Sequence, residues 1–255
     1  MKIRNQKNEI SNAEVIKLAS VCVQKYIQEM GWKVPNDITM NILEIYESVI
    51  YPEYEISLNT EHNLGTNGEQ KILGKMLSKE KIILIDRSIN EESHDPRFTF
   101  TLGHEIGHAV AHVGQSAYFR CTEYTIYDKV QNLQEYQANL FAENIIMPDG
   151  FVKNRFEYYY DVNRPILYKG AGCYNIGMGN KKIDINSLAH FIWILAAPLT
   201  GYFSNISKES LAYKILKIGV VKNETEENLI FDSLGQSFSG SKRKIFRHGS
   251  KILHN

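Results

Sequence analysis

The sequence predicts an α+β protein in which a small mixed sheet lies in the first part of the chain and helices make up most of the rest. Two observations support this class. Short runs rich in β-branched residues are confined to about residues 54–86, as is typical of strands. Before and after that region, apolar residues recur at spacings of three and four, as they do on one face of a helix.

The N-terminal elements can be placed one by one. Ser11 and Glu14 form a capping-box pattern, and the amphipathic pattern that follows ends at Gly31, so a first helix is expected between them. A second helix is expected at about residues 37–49. Strands are expected at residues 54–58, 71–77 and 81–86, with a polar turn region around 65–68 and a hairpin turn at 78–80.

The next expected helix, residues 97–113, carries the most informative motif of the chain. His104 and His108 are four residues apart, so on a helix both imidazoles point the same way and can bind one metal ion. Glu105 lies about 100° away around the helix, beside the ion, where its carboxylate can accept a proton from a water molecule. This arrangement is typical of zinc peptidases.

A catalytic zinc site usually has three protein ligands, so a third residue is needed. A helix expected at residues 130–147 offers candidates. Glu135 shares a face with Ala138 and Ala142, whose small side chains would let this helix approach the histidine helix, and Glu135 is therefore the favoured third ligand. Glu143 lies on a nearby face and is the alternative.

Two residues are expected to support the ligands. His112 continues the histidine stripe, but it has rotated about 80° from His104, so an outer role or a packing role is favoured over ligation. Asn139 follows Glu135 by one turn, where its amide could orient that carboxylate or serve only in helix packing.

Three motifs resemble the ImmA/IrrE family of gluzincin-type metallopeptidases: His104-Glu-Ile-Gly-His108, Glu135-x-x-Ala138-Asn139-x-Phe141-Ala142 and Met147-Pro148. Residues 97–102 are also similar to the residues that precede this motif in the family. The matching segments together cover about residues 82–148. The position before the alanine is often acidic in this family, whereas here it is Gln137, which favours Glu135 over its neighbours as the third ligand.

The resemblance implies a zincin-like metallopeptidase domain followed by a helical, helix-turn-helix-like region. Zinc is the expected metal, and Mn²⁺ would accept the same ligands. Characterised types in this family cleave helix-turn-helix repressors and so switch on genes, which implies a zinc-dependent endopeptidase with such a repressor as its protein substrate and partner. Two other readings stay open: a peptidase-like module that binds a repressor or antitoxin without cleaving it, and a broad-specificity peptidase.

Some features of the mechanism are not determined by the sequence. A donor for the tetrahedral intermediate could come from Tyr158, Tyr159, Tyr160, Tyr174 or His190. The strand at 71–77 is a candidate for binding extended substrate through its backbone, although it could equally be an ordinary hairpin strand. A thiol nucleophile is the weaker alternative, because the three cysteines have no metal or redox spacing: Cys22, Cys121 and Cys173.

The domain organisation is predicted from these patterns. Residues 151–182 contain three consecutive tyrosines and several glycines and show no sustained period. We expect a metallopeptidase domain at 1–150, a loop or insertion near the cleft at 151–184, a helix-turn-helix-like region at 185–222 and a tail at 223–255 whose basic end is disordered.

Composition and charge limit the partners and the cellular compartment that can be expected for this protein. The formal net charge is zero, and the helix-turn-helix-like region offers only Lys208, Lys214 and Lys217 to DNA, so direct DNA binding is not expected. No signal-peptide pattern opens the chain, and the longest apolar stretch, 191–203, is too short to cross a membrane. Three cysteines without scaffold spacing fit a reducing compartment, and a cytoplasmic protein is expected.

Overall fold

The computed structural model describes residues 10–31, 39–90, 95–112, 118–122, 133–176 and 181–229. Helix α1 (Asn12–Glu29) begins at the expected capping box, in which the Ser11 side chain accepts from the Glu14 N–H and the Glu14 carboxylate accepts from the Ser11 N–H. Helix α2 (Ile42–Ile45) continues through a π-helical stretch at Tyr46–Ile50 into helix α3 (Tyr51–Tyr54).

Five strands form the main sheet: β1 (Ser57–Asn59), β2 (Thr66–Asn67), β3 (Gln70–Leu77), β4 (Ile82–Ile85) and β5 (Tyr118–Thr122). The order is β1-β4-β3-β2, and β5 pairs with β3 as well. Strand β1 runs parallel to β4, whereas β3 is antiparallel to both β4 and β5. The predicted hairpin between β3 and β4 is confirmed.

Two strand predictions need correction. A strand was expected from residue 54, but residues 51–54 are helical, and the helix ends at Glu55 in the left-handed region at φ 55°. The strand at 71–77 was a candidate for binding substrate along a free edge, but β3 is paired on both sides. The outer strand is β5, whose pairing with β3 leaves its other side without a partner strand among the described residues.

Two helices carry the motif residues. Helix α4 (Pro96–Ala111) is capped by Asp95, whose side chain accepts from the Arg97 N–H, and nearly all of its length is buried. Helix α5 (Leu133–Ile146) packs along α4 and also against α1. The first helix was predicted at 97–113 and begins one residue earlier, and the second was predicted at 130–147 and ends one residue earlier. Residues 113 and 130–132 of these predictions lie outside the described residues.

The C-terminal part contains more regular structure than its sequence pattern indicated. Helix α6 (Asp149–Tyr160) and the short strands β6 (Ile166–Tyr168), β7 (Gly172–Ile176) and β8 (Lys181–Ile185) occupy the segment expected as a loop or insertion. Helix α7 (Leu188–Ala196), a 3₁₀ turn (Ala197–Tyr202), helix α8 (Lys208–Lys217) and strand β9 (Val221–Asn223) follow. Strands β6 and β9 pair in parallel, and β7 and β8 form a hairpin.

The predicted α+β class is confirmed: a small mixed sheet and several helices share a hydrophobic core. Within the region expected to be helix-turn-helix-like, α8 begins after Ser207, whose side chain accepts from the Ser210 N–H, and Val221 lies in strand β9. In the described part of the chain, no helix has the length and apolar character needed to cross a membrane. The basic tail, residues 242–251, lies outside the described residues.

Candidate metal centre

The three proposed ligand residues meet between helices α4 and α5. Nε2 of His104 lies 3.0 Å from Nε2 of His108, and the Glu135 carboxylate lies 3.1 Å from the first nitrogen and 3.4 Å from the second. One possible ligand atom from each of the three residues lies within 4.8 Å of the other two. Both histidines are buried, while 13% of the Glu135 side chain is exposed.

Small residues on both helices make this approach possible. A Cβ atom on Gly107 would lie 3.1 Å from the Cα atom and the carbonyl oxygen of Ala138. A Cβ atom on Gly103 would lie 3.3 Å from Cα of Ala142. The alanines were expected to allow close packing; the glycines opposite them do so equally, and a larger residue at 107 would push Glu135 away from the histidines.

The contact between His104 and Asn139 leaves Nε2 of His104 available to bind a metal ion. Nδ1 of His104 lies 2.7 Å from Oδ1 of Asn139, and an amide oxygen can only accept, so Nδ1 carries the hydrogen. Nε2 then has a bare lone pair directed toward Glu135. Asn139 was expected either to orient the carboxylate of Glu135 or to serve in helix packing; in the structure its Oδ1 orients the imidazole of His104.

The donor set therefore fits a divalent cation. Oε2 of Glu135 is buried and has no hydrogen-bond partner among the described residues, although it lies 3.1 Å from the His104 nitrogen. Electron-rich atoms held this close, without a hydrogen between them, repel one another unless a positive charge is shared. Two imidazole nitrogens and one carboxylate are a usual zinc set, and manganese accepts the same ligands.

The protonation states of the ligand residues at neutral pH also favour cation binding. Burial raises the pKa of Glu135, but the adjacent imidazole rings of His104 and His108 outweigh that effect and bring the pKa to about 2. Burial lowers the pKa of His108 to about 3, although Glu135 acts in the opposite direction. At neutral pH the carboxylate is ionised and the His108 ring is neutral, which are the forms that bind metal.

Glu105 lies beside the ligand residues in a confined position. Its side chain is fully buried, and neither carboxylate oxygen has a hydrogen-bond partner within the described residues. Burial raises its pKa well above the usual range, and the charge of Glu135 adds to this, while the nearby N–H groups of Cys121 and Met76 act in the opposite direction. A cation at the ligand residues would favour the ionised form.

Strand β3 covers Glu105 at a glycine. A Cβ atom on Gly74 would lie 2.7 Å from Oε1 of Glu105 and 2.6 Å from Cγ2 of Thr101, so a side chain there does not fit without movement. Gly74 pairs with Cys121 of β5 beside a bulge in the ladder. Sequence spacing gave no reason to place Cys121 near the site, yet its buried sulfur and one possible ligand atom each of His104 and Glu105 lie within 4.8 Å of one another.

The alternative third ligand is engaged elsewhere. The Glu143 carboxylate accepts from the Nζ atoms of Lys214 and Lys217 on α8, at 2.9 Å and 2.7 Å. Lys214 is buried and also pairs with Asp149. Of the two glutamates on α5, Glu135 is thus the one that faces the histidines.

The other expected site residues lie in different positions. His112 does not join the ligand atoms; its Nδ1 lies 3.1 Å from Nδ1 of His108. The Tyr160 hydroxyl donates to the Leu195 carbonyl, and the Tyr174 hydroxyl donates to the Gly170 carbonyl, so these two candidate oxyanion donors are committed to the C-terminal part. Tyr158 is largely exposed, Tyr159 packs on Tyr160, and His190 lies near Asn186.

Comparison with known proteins agrees with this geometry. Residues 80–167 match the family model described as the IrrE N-terminal-like domain, of peptidase family M78. The matched segment includes both histidines of the motif, Glu105 and Glu135, and it confirms the resemblance stated from the motifs. No curated protein matches the chain.

Proposed function

We propose that the protein is a zinc-dependent endopeptidase that cleaves a helix-turn-helix transcriptional repressor and thereby derepresses genes. The proposal is supported by the match of residues 80–167 to the IrrE N-terminal-like domain of a peptidase family. The observation that carries the catalytic part of this proposal is the convergence of two imidazole Nε2 atoms and one carboxylate beside a buried glutamate. The repressor substrate rests on the family resemblance.

The proposed mechanism assigns one role to each residue. His104, His108 and Glu135 would hold the ion, which when bound would supply electrophilic activation of the scissile carbonyl and of the attacking water. Glu105 accepts the proton of that water and later delivers it to the leaving amine, so no covalent intermediate is required. Asn139 holds the His104 ring in the orientation that leaves its Nε2 free.

Strand β5 is the proposed docking edge for the substrate backbone. Its inner side is paired with β3 at residues 118–122, and its residue Cys121 lies against Glu105. An extended peptide added to the outer side of β5 would therefore pass beside the proton acceptor.

The test is cleavage of a candidate repressor by the parent and by Glu105→Gln, with the metal content of each sample measured. We expect the parent to produce discrete fragments and the variant, with metal retained, to be slower by about 10²-fold or more. Equal cleavage by both proteins would exclude Glu105 as the proton acceptor. Cleavage of many unrelated peptides at equal rates would favour a broad-specificity peptidase.

One observation favours a second candidate, a peptidase-like module that binds a repressor or antitoxin without cutting it. In this structure His104, Glu105 and His108 are at most 1% exposed, so a peptide reaches them only if the site opens. A non-cleaving module predicts partner binding that survives both Glu105→Gln and removal of metal by a chelator, with no fragments under any condition.

A further inference from the structure

A chain of polar side chains leads from the metal centre to the start of helix α1. Oε1 of Gln137 lies 3.0 Å from Nε2 of His112, and Nδ1 of His112 lies 3.1 Å from Nδ1 of His108. All three side chains are buried, with no more than 2% of each residue exposed. His112 was expected to have an outer or packing role, whereas no role was assigned to Gln137.

The orientation of Gln137 is determined by its other end. Nε2 of Gln137 lies 2.6 Å from the carbonyl oxygen of Ile10 and 3.3 Å from Oδ1 of Asn12. Both of these oxygens can only accept, so the amide nitrogen must face them. The amide oxygen then faces His112, where it accepts the hydrogen of Nε2.

The orientation of the Gln137 amide determines which nitrogen of His112, and then of His108, carries the hydrogen. A neutral His112 that donates from Nε2 presents a bare lone pair at Nδ1, and that lone pair can accept only from an N–H on Nδ1 of His108. We propose that Gln137 is a positioning residue that fixes the tautomer of His108 through His112, so that the Nε2 lone pair of His108 is presented to the cation. The proposal rests on the metal site of the proposed function.

The alternative tautomer would oppose metal binding. If His108 carried its hydrogen on Nε2, that N–H would point at Nε2 of His104 and at the Glu135 carboxylate, 3.0 Å and 3.4 Å away. The hydrogen would have to move before a cation could take its place. Loss of outer partners of this kind weakens metal affinity by about 10- to 100-fold.

The experiment compares the parent with Gln137→Met, which keeps the length of the side chain and removes its acceptor, and with Gln137→Glu, which keeps an acceptor for His112. Asn144→Leu is the matched control, since Asn144 is an amide of the same helix whose side chain donates only to the Leu140 carbonyl among the contacts described. Zinc dissociation constants are measured at pH 8 by competition with a chelator. The ring tautomers are read from ¹⁵N-imidazole spectra of the metal-free proteins.

We expect zinc to bind Gln137→Met about 10- to 100-fold more weakly than the parent, and His108 to change from a single tautomer to a mixture. Gln137→Glu should bind zinc within about threefold of the parent but unfold at a lower temperature, because it loses the bond to Ile10. Asn144→Leu should match the parent in zinc affinity and in tautomer.

Two results would overturn the proposal. The first is an unchanged zinc dissociation constant in Gln137→Met. The second needs no variant: a metal-free parent in which His108 carries its hydrogen on Nε2. A parent that shows the expected tautomers but binds no zinc would instead contradict the proposed function, so the two failures are distinguishable.

Discussion

Replacing Gly74 by alanine should impair catalysis while leaving metal binding intact. The added Cβ atom would lie 2.7 Å from Oε1 of Glu105, whereas ordinary contacts of this kind begin at 3.4 Å, so the carboxylate or the strand must move by about 0.7 Å. Thr101 is contacted too, at 2.6 Å, and both contacted residues are fully buried in α4. The Glu105 carboxylate therefore has little space in which to move away from the added methyl group.

The size of the effect follows from that displacement. A shift approaching 1 Å at a reacting group costs on the order of 10²-fold in rate. Overpacking of a buried site costs about 1–3 kcal/mol of stability. The three atoms nearest to the new Cβ belong to Thr101 and Glu105 and none to a ligand residue, so zinc content should stay at the level of the parent.

The assay measures kcat on a cleaved protein substrate at saturating zinc, together with zinc content and thermal stability. Gly150→Ala is the matched control, because a Cβ atom at Gly150 meets nothing within 4 Å. It should retain the kcat of the parent and gain slightly in stability, since alanine is favoured over glycine in a helix. A Gly74→Ala protein with parental kcat would refute the argument that Glu105 acts from the position under β3.

Three further predictions concern packing and charge. Gly107→Ala should weaken zinc binding about tenfold or more in a chelator competition, because α4 and α5 must separate near Glu135; equal affinity would show that the helices adapt without cost. Glu143→Gln should keep full zinc content yet lower the free energy of unfolding by about 1–3 kcal/mol, since buried Lys214 loses one of its two carboxylate partners; loss of zinc would return Glu143 to the ligand set. Burial raises the pKa of Asp86, but hydrogen bonds from Leu64, Ser88 and Lys71 outweigh it and lower the pKa to about 2, so the stability that Asp86 contributes is complete above pH 4 and disappears toward pH 2. Urea unfolding at pH 5 and pH 3 should show a loss in the parent that is smaller by about 1–2 kcal/mol in Asp86→Asn, and an equal loss in both would contradict this assignment.

The sequence predicted the parts of the site that depend on local periodicity. The helical spacing of His104, Glu105 and His108, and the small residues that accompany Glu135, are properties of single segments, and the structure brings these residues together as that spacing indicated.

Contacts between distant segments could not be predicted in this way. Strand β5 lies in a stretch to which no strand was assigned, and its pairing with β3 is what puts Cys121 beside Glu105 and places β3 in the interior of the sheet. The partner of Asn139 and the bond from Gln137 to Ile10 depend on the rotation and packing of whole helices, which single-segment patterns do not specify. The need for glycine at positions 74 and 107 comes from neighbours on other strands and helices, which the sequence pattern does not identify.

The most direct test of the central claim is the zinc content of protein purified without chelator, measured by mass spectrometry for the parent, Glu135→Ala and Glu105→Gln. We expect one equivalent of zinc in the parent and in Glu105→Gln, and a clear loss in Glu135→Ala, because Glu135 contributes the carboxylate that lies against both imidazoles. A parent without metal, or full occupancy in Glu135→Ala, would contradict the assigned metal centre and the metallopeptidase mechanism that depends on it.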